Sequence, residues 1–514
     1  MIKDREPITF LGPPGTGKTQ NISKLVLECI EEGIPPERIA CVSFTRKAAQ
    51  ESRDRVCREG GLQEDALPYF QTLHSMAYRA GGFSDFEVIN NSDLKIIGEA
   101  VGVYFETGSS NSENDFDLLG SSPGEGQAYL SLYQMSRSKK VSLEEIHRKT
   151  GNYNLRWAVL KRLVDTYESY KKAKHKIDYT DMIENFICEG HPLDIDALFV
   201  DEAQDLSTLQ WQMVDILRQV PQIQVFTGDD DQAIMTFQGA DVDAFLAATS
   251  RKEVLQHSYR LPRKIWSEAQ NISSRIMGRA PKVWQPRDAE GTVHWHQDIQ
   301  DVPLNEGSWS ILTRTNRMGS IYANHLIREG WVFSRKGNLS IPEKMYEAIL
   351  NWEELSKGQS IMPPQLRNMY RYIKSKEGVT RGYGPKSKKL MNLDPEIPIN
   401  MEDAHEKLGL LVDGSKRWHQ ALDNIDLDTK NYILNALKRG DNVKKPRIKL
   451  STIHGMKGGE DENVLIVPNL PYSAYKEMRR NPNTEHRVFY VAVTRAKENL
   501  HIILPEKSKM VYEI

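Results

Sequence analysis

Two groups of residues have the types and spacing needed to handle a nucleoside triphosphate. The segment from Gly12 to Thr19 reads Gly-Pro-Pro-Gly-Thr-Gly-Lys-Thr, in which backbone N–H groups, a helix N-terminus and the Lys18 ammonium can surround phosphates. Asp201 and Glu202 end an apolar run further along the chain. One carboxylate of this pair can hold Mg²⁺ and the other can orient a water molecule. Together these residues predict a nucleotide hydrolase.

The length and composition of the chain limit the class of protein. Its 514 residues exceed what one hydrophobic core usually supports, so we expect several domains. No apolar run approaches the roughly 20 residues of a membrane span, and the first residues lack the pattern of a signal peptide. We therefore expect a soluble, intracellular protein without a membrane partner. The four cysteines have neither CxxC spacing nor a nearby histidine, which argues against a zinc site or a disulfide framework.

Local charge differs from the nearly neutral net charge of −2. From Arg137 to Lys176 there are twelve Lys or Arg against four acidic residues, and the stretch from Tyr370 to Leu390 interleaves basic residues with Tyr372 and Tyr383. Basic residues beside aromatics suit a nucleic-acid strand, whose phosphates need countercharge and whose bases can stack. A solvated helix face explains either stretch equally well, and the sequence leaves both interpretations open.

Alternating strands and helices predict parallel sheets covered by helices. A first set of strands is expected at 7–11, 39–45, 197–200 and 223–227, and each ends at a polar motif, where ligands collect in open α/β sheets. A second set is expected at 310–313, 448–452, 464–467 and 500–504. Helical insertions are expected to interrupt both sets.

Eight segments in fixed order resemble the motifs of the UvrD/Rep/PcrA-like helicases of superfamily 1, over nearly the whole chain. Besides the phosphate loop and the acidic pair, they are Phe44–Ala49, Thr72–Ser75, Gly228–Gln232 with Phe237–Ala240, His257–Arg260, Thr452–Glu460 and Tyr490–Lys497. The resemblance implies an α/β fold of two RecA-like P-loop NTPase domains with parallel sheets, each carrying a mainly helical insertion. The implied boundaries are 1–75 with 179–250 for the ATP-binding domain, 76–178 for its insertion, 251–335 with 443–514 for the second RecA-like domain, and 336–442 for its insertion.

The resemblance also assigns roles in ATP hydrolysis. Lys18 is expected to neutralise the β and γ phosphates, and Thr19 and Asp201 to hold Mg²⁺. Glu202 is expected to polarise the attacking water, and Gln232 to sense the γ-phosphate. For the acidic pair, the alternative is a capping role at the following helix.

Arginines and an aromatic residue complete the implied nucleotide site. Arg260 and Arg495 are expected to bring positive charge to the transferred phosphoryl group from the half that holds the second sheet, so that hydrolysis requires closure of a cleft. Tyr259 is expected to stack on the base and Glu460 to accept a hydrogen bond from the ribose. Surface ion pairs are the alternative for both arginines. The implied nucleotide-binding residues are Gly12, Pro13, Pro14, Gly15, Thr16, Gly17, Lys18, Thr19, Gln20, Tyr259, Arg260, Gly458, Glu460 and Arg495.

One motif of the family is expected to be missing. Only six residues precede the first expected strand, and the family normally carries there a glutamine that reads the adenine edge. Stacking tolerates any base whereas edge hydrogen bonds do not. We therefore expect relaxed discrimination between ATP and other purine triphosphates.

Contacts to the nucleic-acid strand are also implied by the resemblance. Aromatic side chains would stack on bases and polar ones would hold phosphates, in a groove across both sheets. The expected residues are Phe44, Arg46, Thr72, His74, Phe237 and His454. An ordinary core position for Phe237, and backbone partners for His74 and His454, remain the alternatives.

These roles imply a Mg²⁺- and ATP-dependent motor that moves along single-stranded DNA and unwinds duplexes at single-strand/duplex junctions. The implied polarity is 3′ to 5′, the expected state is a monomer, and the expected location is the cytoplasm, at the nucleoid or in an infected host cell. The basic insertions are expected to face the duplex. Two alternatives stay open. One is a nucleotide-gated regulatory subunit or protein-stripping translocase without unwinding, and the other is a motor on RNA, because phosphate and stacking contacts do not read the 2′ position.

Overall fold

A computed structural model describes residues 6–105, 124–150, 155–190, 193–504 and 510–514. The described residues form two units, one made of the chain up to Gln297 together with the part from Met456 onward, and one made of Asp298–Gly455. The strands are β1 (Ile8–Leu11), β2 (Ile39–Val42), β3 (Phe70–Gln71), β4 (Glu87–Val88), β5 (Lys176–Ile177), β6 (Ala197–Val200), β7 (Ile223–Gly228), β8 (Arg251–Val254), β9 (Thr292–His296), β10 (Trp309–Thr313), β11 (Phe333–Arg335), β12 (Asn338–Leu339), β13 (Ile448–Thr452), β14 (Asp461–Ile466) and β15 (Ala496–Ile503).

The helices are α1 (Lys18–Glu31), α2 (Arg46–Gly60), α3 (Leu73–Ala80), α4 (Asn91–Val101), α5 (Glu125–Lys139), α6 (Leu143–Thr150), α7 (Trp157–Lys174), α8 (Tyr179–Glu189), α9 (Thr208–Leu217), α10 (Val242–Ala247), α11 (Arg263–Ser273), α12 (Asn316–Arg328), α13 (Glu343–Ser356), α14 (Pro363–Tyr370), α15 (Lys388–Met391), α16 (Met401–Glu406), α17 (Trp418–Ala421), α18 (Leu427–Arg439), α19 (Tyr472–Arg480) and α20 (Pro482–Val493). In the part of the chain that the structure describes, no helix has both the length and the apolar character needed to cross a lipid bilayer.

The sheet that carries the phosphate loop lies in the first unit. Its strands run in the order β3-β2-β6-β7-β1-β8, and all its pairs are parallel. Because the carboxyl ends of parallel strands share one edge, the segments after β1, β6 and β7 meet there. The first expected set of strands is confirmed. The sheet continues beyond the expected domain boundary at residue 250, because β8 pairs with β1.

Helices cover both faces of this sheet. Strands β1, β2 and β6 are buried at every position, as expected for a parallel sheet between helical layers. On one face Ile22 and Val26 of α1 pack in a core with Phe10 of β1. On the other face Met213 of α9 shares a core with Leu11, the next residue of β1. The alternation along β1 thus anchors the phosphate loop from two sides.

The segment expected as the first insertion is helical where the structure describes it. Helices α4 to α7 share a core that includes Tyr129, Leu160 and Tyr167. The short strands β4 and β5, which lie within the same segment, pair in parallel. These contacts give the described part of the segment a core built from its own helices, and its standing as a separate domain stays a prediction.

The remaining strands pair in parallel within each unit, with the exception of β12. In the first unit β15 pairs with β14 and with β9. In the second unit β13 pairs with β10 and β11, and β12 is antiparallel to β11. Helices α13 to α18 of the second unit bury a common core around Trp352, Met369 and Tyr432. The expected α/β class with parallel sheets is confirmed, and the division into four domains stays a prediction.

Candidate nucleotide site and nucleic-acid interface

The phosphate loop connects β1 to α1 and has the backbone that phosphate binding requires. The Gly12 N–H donates to the Gly228 carbonyl at 2.8 Å, which ties the loop to the end of β7. Gly15 and Gly17 have φ of 73° and 76°, the left-handed region that favours glycine. A Cβ on Gly15 would lie 2.3 Å from the Cβ of Arg260. The loop therefore needs glycine both for its turn and for close approach of the His257–Arg260 segment.

Lys18 begins helix α1 and its ammonium is held between the loop and the acidic pair. Its Nζ donates to the Gly12 carbonyl at 2.9 Å and lies 3.5 Å from Oε1 of Glu202. The ammonium thus lies at a helix N-terminus, where positive partial charge and N–H groups favour phosphate oxygens. This placement agrees with its expected role.

Asp201 and Thr19 bring two oxygen atoms together at the end of β6. The Thr19 hydroxyl donates to Oδ2 of Asp201 at 3.0 Å, and the Thr227 hydroxyl donates to Oδ1 at 2.7 Å. Burial and the neighbouring charge of Glu202 raise the pKa of Asp201. A hydroxyl and a carboxylate oxygen in contact are the donor set that Mg²⁺ prefers. Thr227 was missed by sequence reasoning, because a threonine inside a strand carries no motif signal.

Glu202 has a backbone conformation unusual for its residue type. Its φ is 51° and its ψ is 40°, a region sparsely populated outside glycine and often found at functional sites. Its carboxylate accepts from the Gln204 amide at 2.5 Å. Burial alone would raise the pKa of Glu202, but Lys18 and Lys457 hold it at about 2. The carboxylate is therefore ionised at neutral pH and can accept a hydrogen bond from water.

Gln232 and Arg495 form a direct contact. The Nη2 of Arg495 donates to Oε1 of Gln232 at 2.8 Å, and Nε2 of Gln232 donates to Oδ2 of Asp229 at 2.8 Å. Arg495 is only 2% exposed, and its Nε donates to the Val491 carbonyl at 3.0 Å. Burial and the charge of Arg260 lower the pKa of Arg495 to about 9. The surface ion-pair alternative is thus wrong for Arg495.

The His257–Arg260 segment is hydrogen-bonded directly to the phosphate loop. The Ser258 hydroxyl donates to the Pro14 carbonyl at 2.7 Å, and the Tyr259 N–H donates to the Gly15 carbonyl at 2.8 Å. Tyr259 itself is 74% exposed. Its ring carbon Cε2 would lie 3.8 Å from a Cβ built on Gly17. An exposed ring directly above the loop is a suitable surface for a base.

Arg260 and Glu460 form an ion pair beside this motif. The Arg260 Nε lies 2.6 Å from Oε2 of Glu460, and Lys497 Nζ lies 3.3 Å from Oε1. The expected ribose contact of Glu460 stays a prediction. Gly458 nearby in sequence has φ of 81°. Gln20, in the first turn of α1, is exposed.

Sequence reasoning did not find the ion pair of Lys457 with Asp205, which lies beside Gln232. Lys457 Nζ contacts both carboxylate oxygens of Asp205, and it donates to the Gln232 backbone carbonyl at 2.9 Å. Burial and the charge of Glu202 raise the pKa of Asp205 to about 6, although Lys457 opposes this rise. Lys457 lies inside the Thr452–Glu460 segment and Asp205 follows the acidic pair by three positions, so closeness to these motifs was the available signal.

Three of the expected strand contacts line one cavity. This cavity, called here the aromatic cavity, has a volume of about 220 Å³ and is lined by Phe44, His74 and Phe237 together with Asp205 and other residues. Phe237 is 43% exposed, so the alternative of an ordinary core position is wrong. His74 packs edge-on against Tyr179, with ring centroids 5.7 Å apart. The tertiary structure therefore gathers residues from three separate motifs.

The other expected strand contacts lie elsewhere. Arg46 is the first residue of α2 and is exposed. The Thr72 hydroxyl caps α3, where it accepts from the Ser75 N–H at 3.2 Å. His454 belongs to the second unit and follows β13. Their contacts to a strand stay predictions.

Two cations of the first basic stretch, Arg137 and Lys171, are buried in ion pairs and do not belong to a solvated face. Arg137 donates to Asp178 at 2.9 Å and to Asp181 and Glu184 at 2.6 Å, and Lys171 lies 3.0 Å from Asp178. The side chains of Arg137 and Lys171 are 10% and 5% exposed. These cations instead join the insertion to α8, since their carboxylate partners lie on or next to that helix.

Two family models match the chain. The model of the UvrD/REP helicase N-terminal domain matches residues 2–253, and the model of the UvrD-like helicase C-terminal domain matches residues 365–507. The chain belongs to the UvrD/Rep helicase family. Membership of this family confirms the resemblance, the enzyme class of ATP-hydrolysing helicases, the use of ATP and the binding of DNA.

Individual UvrD/Rep relatives match over different shares of their length. YjcD of Bacillus subtilis (strain 168), whose name assigns it to the ATP-dependent DNA helicases, is 23% identical over 97% of this chain and 77% of its own length. The ATP-dependent DNA helicase PcrA of the same strain is 23% identical over 63% of this chain and 47% of its own length. The chain thus spans about half the length of this PcrA. Among solved structures, Arterivirus nonstructural protein 10 (helicase) matches with a TM-score of 0.35 and 11% identity, over 97% of this chain and 60% of that chain.

Proposed function

We propose that this chain is a Mg²⁺- and ATP-dependent motor that moves along single-stranded DNA in the 3′ to 5′ direction and opens duplex DNA. The observation that carries the proposal is the position of Asp205. Its carboxylate lines the aromatic cavity and pairs with Lys457, which also donates to the Gln232 carbonyl. Two side chains therefore link a site suited to a base with the expected sensor of the γ-phosphate.

ATP hydrolysis in this proposal uses charges that the fold already holds in place. The phosphate loop and Lys18 bind the triphosphate, and Glu202 orients the attacking water. Arg495 and Arg260 stabilise charge on the transferred group. Charges that are positioned before the reaction stabilise the transition state without reorganisation. The hydrogen bond that Arg495 donates to Gln232 orients the arginine for this role.

Magnesium fits the oxygen pair of Thr19 and Asp201. These residues offer a hydroxyl and a carboxylate in contact, at 3.0 Å, on the side of the loop that faces the acidic pair. A bound ion would neutralise charge on the phosphates. Burial raises the pKa of Asp201. Beside such a cation its carboxylate would be ionised, because a nearby positive charge favours the charged form.

Coupling to the track runs through the aromatic cavity. A base that stacks on Phe237 or Phe44 contacts the same cavity whose wall includes Asp205. The ion pair of Asp205 with Lys457 then connects the wall of the cavity to the backbone carbonyl of Gln232. Opening and closing of the arginine-bearing segments against the phosphate loop would advance the strand.

Contact with duplex DNA is assigned to a set of cations in the second unit. They are exposed and lie within one stretch of the chain, and we call them the duplex patch: Arg371, Lys374, Lys376, Arg381, Lys386, Lys388 and Lys389. The Lys389 ammonium lies 4.2 Å from the centroid of the Tyr383 ring. Phosphate contacts of this kind bind any sequence, as an unwinding motor requires. In this proposal the motor acts as a monomer at single-strand/duplex junctions, within the cytoplasm, and the four-domain division supplies its moving parts.

The first test compares ATP hydrolysis with DNA and RNA oligomers of one sequence. Stimulation by DNA well above that by RNA is expected, and stimulation by RNA alone would make RNA the track. Slow hydrolysis unaffected by either oligomer would favour a nucleotide-gated regulatory subunit. The Glu202→Gln variant, which keeps the side-chain volume, is the control and should bind ATP without hydrolysing it.

The second test measures opening of duplexes that carry a 3′ or a 5′ single-stranded tail. Opening with the 3′ tail is expected. Preference for the 5′ tail would refute the polarity. ATP-driven movement without opening of either duplex would leave a protein-stripping translocase.

A further inference from the structure

Three consecutive aspartates after β7 are fully buried. Asp229, Asp230 and Asp231 are each 0% exposed, and their carboxylates offer oxygen atoms within 4.8 Å of one another. Burial of adjacent like charges is costly unless cations and hydrogen bonds compensate it. The partners of these carboxylates therefore decide what the cluster does.

A buried lysine supplies the main compensation. Lys282 Nζ lies 2.5 Å from Oδ1 of Asp229, 2.5 Å from Oδ1 of Asp230 and 2.8 Å from Oδ2 of Asp231, and its side chain is 0% exposed. Arg279 also pairs with Asp231. Burial opposes the charge of Lys282, but the three aspartates together raise its pKa. Lys282 is therefore a cation at neutral pH, held by the segment that follows α11.

Asp229 differs from its neighbours because it also contacts the nucleotide site. Its Oδ1 accepts from Lys282, and its Oδ2 accepts from Nε2 of Gln232 at 2.8 Å. This second bond fixes the orientation of the Gln232 amide, so that its oxygen faces Arg495 at 2.8 Å. An arginine can only donate, so the opposite orientation of the amide would place two donors against each other.

We propose that Lys282 and Asp229 are positioning residues that hold the Gln232 amide with its oxygen toward Arg495, and thereby set the position of this arginine for ATP hydrolysis. The inference rests on the proposed function, because it assigns Arg495 to the transferred phosphoryl group. Neither Lys282 nor Asp229 needs to touch the nucleotide. Their loss should lower kcat and leave the KM for ATP unchanged, since the phosphate loop binds the nucleotide without them.

A purely structural role of Lys282 and Asp229 predicts a different result. Two matched variants distinguish that role from the proposed positioning role. Asp229→Asn and Asp230→Asn each remove one buried negative charge that faces Lys282. Each also replaces one acceptor oxygen by a donor group. Oδ2 of Asp229 accepts from Gln232, and Oδ2 of Asp230 accepts from the Ala280 N–H at 2.9 Å. Only Asp229→Asn changes the partner of Gln232. The new amide group would donate toward Gln232, turn its side-chain amide and present a donor to Arg495.

The first experiment measures DNA-stimulated ATP hydrolysis of the full chain. Asp229→Asn should lower kcat by about 10²-fold, the cost of a small misplacement of a reacting group, with KM unchanged. Asp230→Asn should retain most of the activity, and Lys282→Arg should restore more activity than Lys282→Met. Equal losses in the two asparagine variants, or a loss that appears only in KM, would overturn the proposal.

The second experiment does not depend on activity. Thermal unfolding is measured for Asp229→Asn, Arg495→Lys and the double variant, in the natural chain and again with Gln232→Ala. Because both residues bond to Gln232, their shifts in Tm should be non-additive in the natural chain and additive without Gln232. Additive shifts in both backgrounds would overturn the proposal. A chain that never hydrolyses ATP would refute the proposed function, and this measurement would still decide the arrangement of Gln232.

Discussion

The Nη2 of Arg495 lies 2.8 Å from Oε1 of Gln232, although the two residues are 263 positions apart in the chain. Both belong to the first unit, together with the phosphate loop. An arginine expected to neutralise the transferred phosphoryl group is thus hydrogen-bonded to the glutamine expected to sense it. A change at either residue should therefore affect hydrolysis through the other.

Replacement of Arg495 by alanine should nearly abolish ATP hydrolysis. An arginine that stabilises the transition state accelerates phosphoryl transfer by about 10³ to 10⁵-fold, so kcat with a DNA oligomer should fall by at least about 10³-fold. Phosphate release under saturating ATP measures this. Arg263→Ala is the control, because Arg263 is exposed and pairs with Asp288 on the surface. Unchanged phosphate release in Arg495→Ala would refute the proposed role of Arg495 in hydrolysis.

Stimulation of ATP hydrolysis by DNA should weaken in mildly acidic solution, because Asp205 becomes protonated there. The fold raises the pKa of Asp205 from 3.8 to about 6, so the folded state binds the proton more tightly than the unfolded chain. The contribution of this group to the free energy of unfolding therefore falls as pH rises from about 4 to about 6. Below about pH 6 the carboxylate is protonated and its ion pair with Lys457 is lost.

The ratio of ATP hydrolysis with and without a DNA oligomer, measured from pH 5 to pH 8, tests this step. The natural chain should show a fall with a midpoint near the pKa of Asp205. Asp205→Asn should have a low ratio that changes little with pH, and Asp215→Asn, at an exposed aspartate, should behave like the natural chain. A midpoint that persists in Asp205→Asn would assign the titration to another group.

Removal of the Phe237 ring should weaken binding of single-stranded DNA. Stacking of one base on an aromatic side chain contributes about 1 to 3 kcal/mol, so the Kd in Phe237→Ala should rise by roughly 5- to 150-fold. Fluorescence anisotropy of a labelled oligonucleotide gives this value. Tyr472→Ala removes another exposed ring that does not line the aromatic cavity, and should have no effect. Equal affinity in Phe237→Ala would leave this ring without a role in strand binding.

Neutralisation of the duplex patch should impair unwinding more than movement on single strands. Replacement of Lys386, Lys388 and Lys389 by alanine should reduce the slope of log K for duplex binding against log salt by about 0.9 for each lost phosphate contact. Unwinding should fall, and ATP hydrolysis with single-stranded DNA should not change.

The matched control replaces three lysines of the same unit that already have carboxylate partners: Lys357, Lys407 and Lys444. It removes the same charge from the same unit and should leave the salt slope unchanged. Equal slopes in both triple variants would show that the reduced slope comes from overall charge and not from the duplex patch.

Sequence patterns predicted the strands well because burial between helices leaves a local signature. Strands β1 and β6 are apolar at most positions and β7 at half of them, and each is followed directly by a polar motif. The extent of the first sheet was not predicted, because its edge strand β8 consists of the half-exposed residues Arg251–Val254. A strand of that composition resembles a surface segment, and only its pairing with β1 identifies it.

Charged residues were the least predictable part of the site. Arg137 and Lys171 stand in a stretch that the sequence presents as basic, but the fold buries both against carboxylates. Lys282 carries no motif signal, because its partners lie 51 to 53 positions earlier in the chain. Periodicity and composition describe a residue's own environment and contain no information about which distant charge it will meet.

The sequence by itself determined the chemistry available to this protein. A glycine-rich loop with Lys18 and a carboxylate pair at the end of an apolar strand specify phosphate and magnesium handling, because loop backbone and strand ends are set by local residue types. Only the tertiary structure decided how these groups act together. The contacts of Arg495 with Gln232 and of Lys457 with Asp205 join residues more than 250 positions apart, and such pairs exist only once the whole first unit has packed.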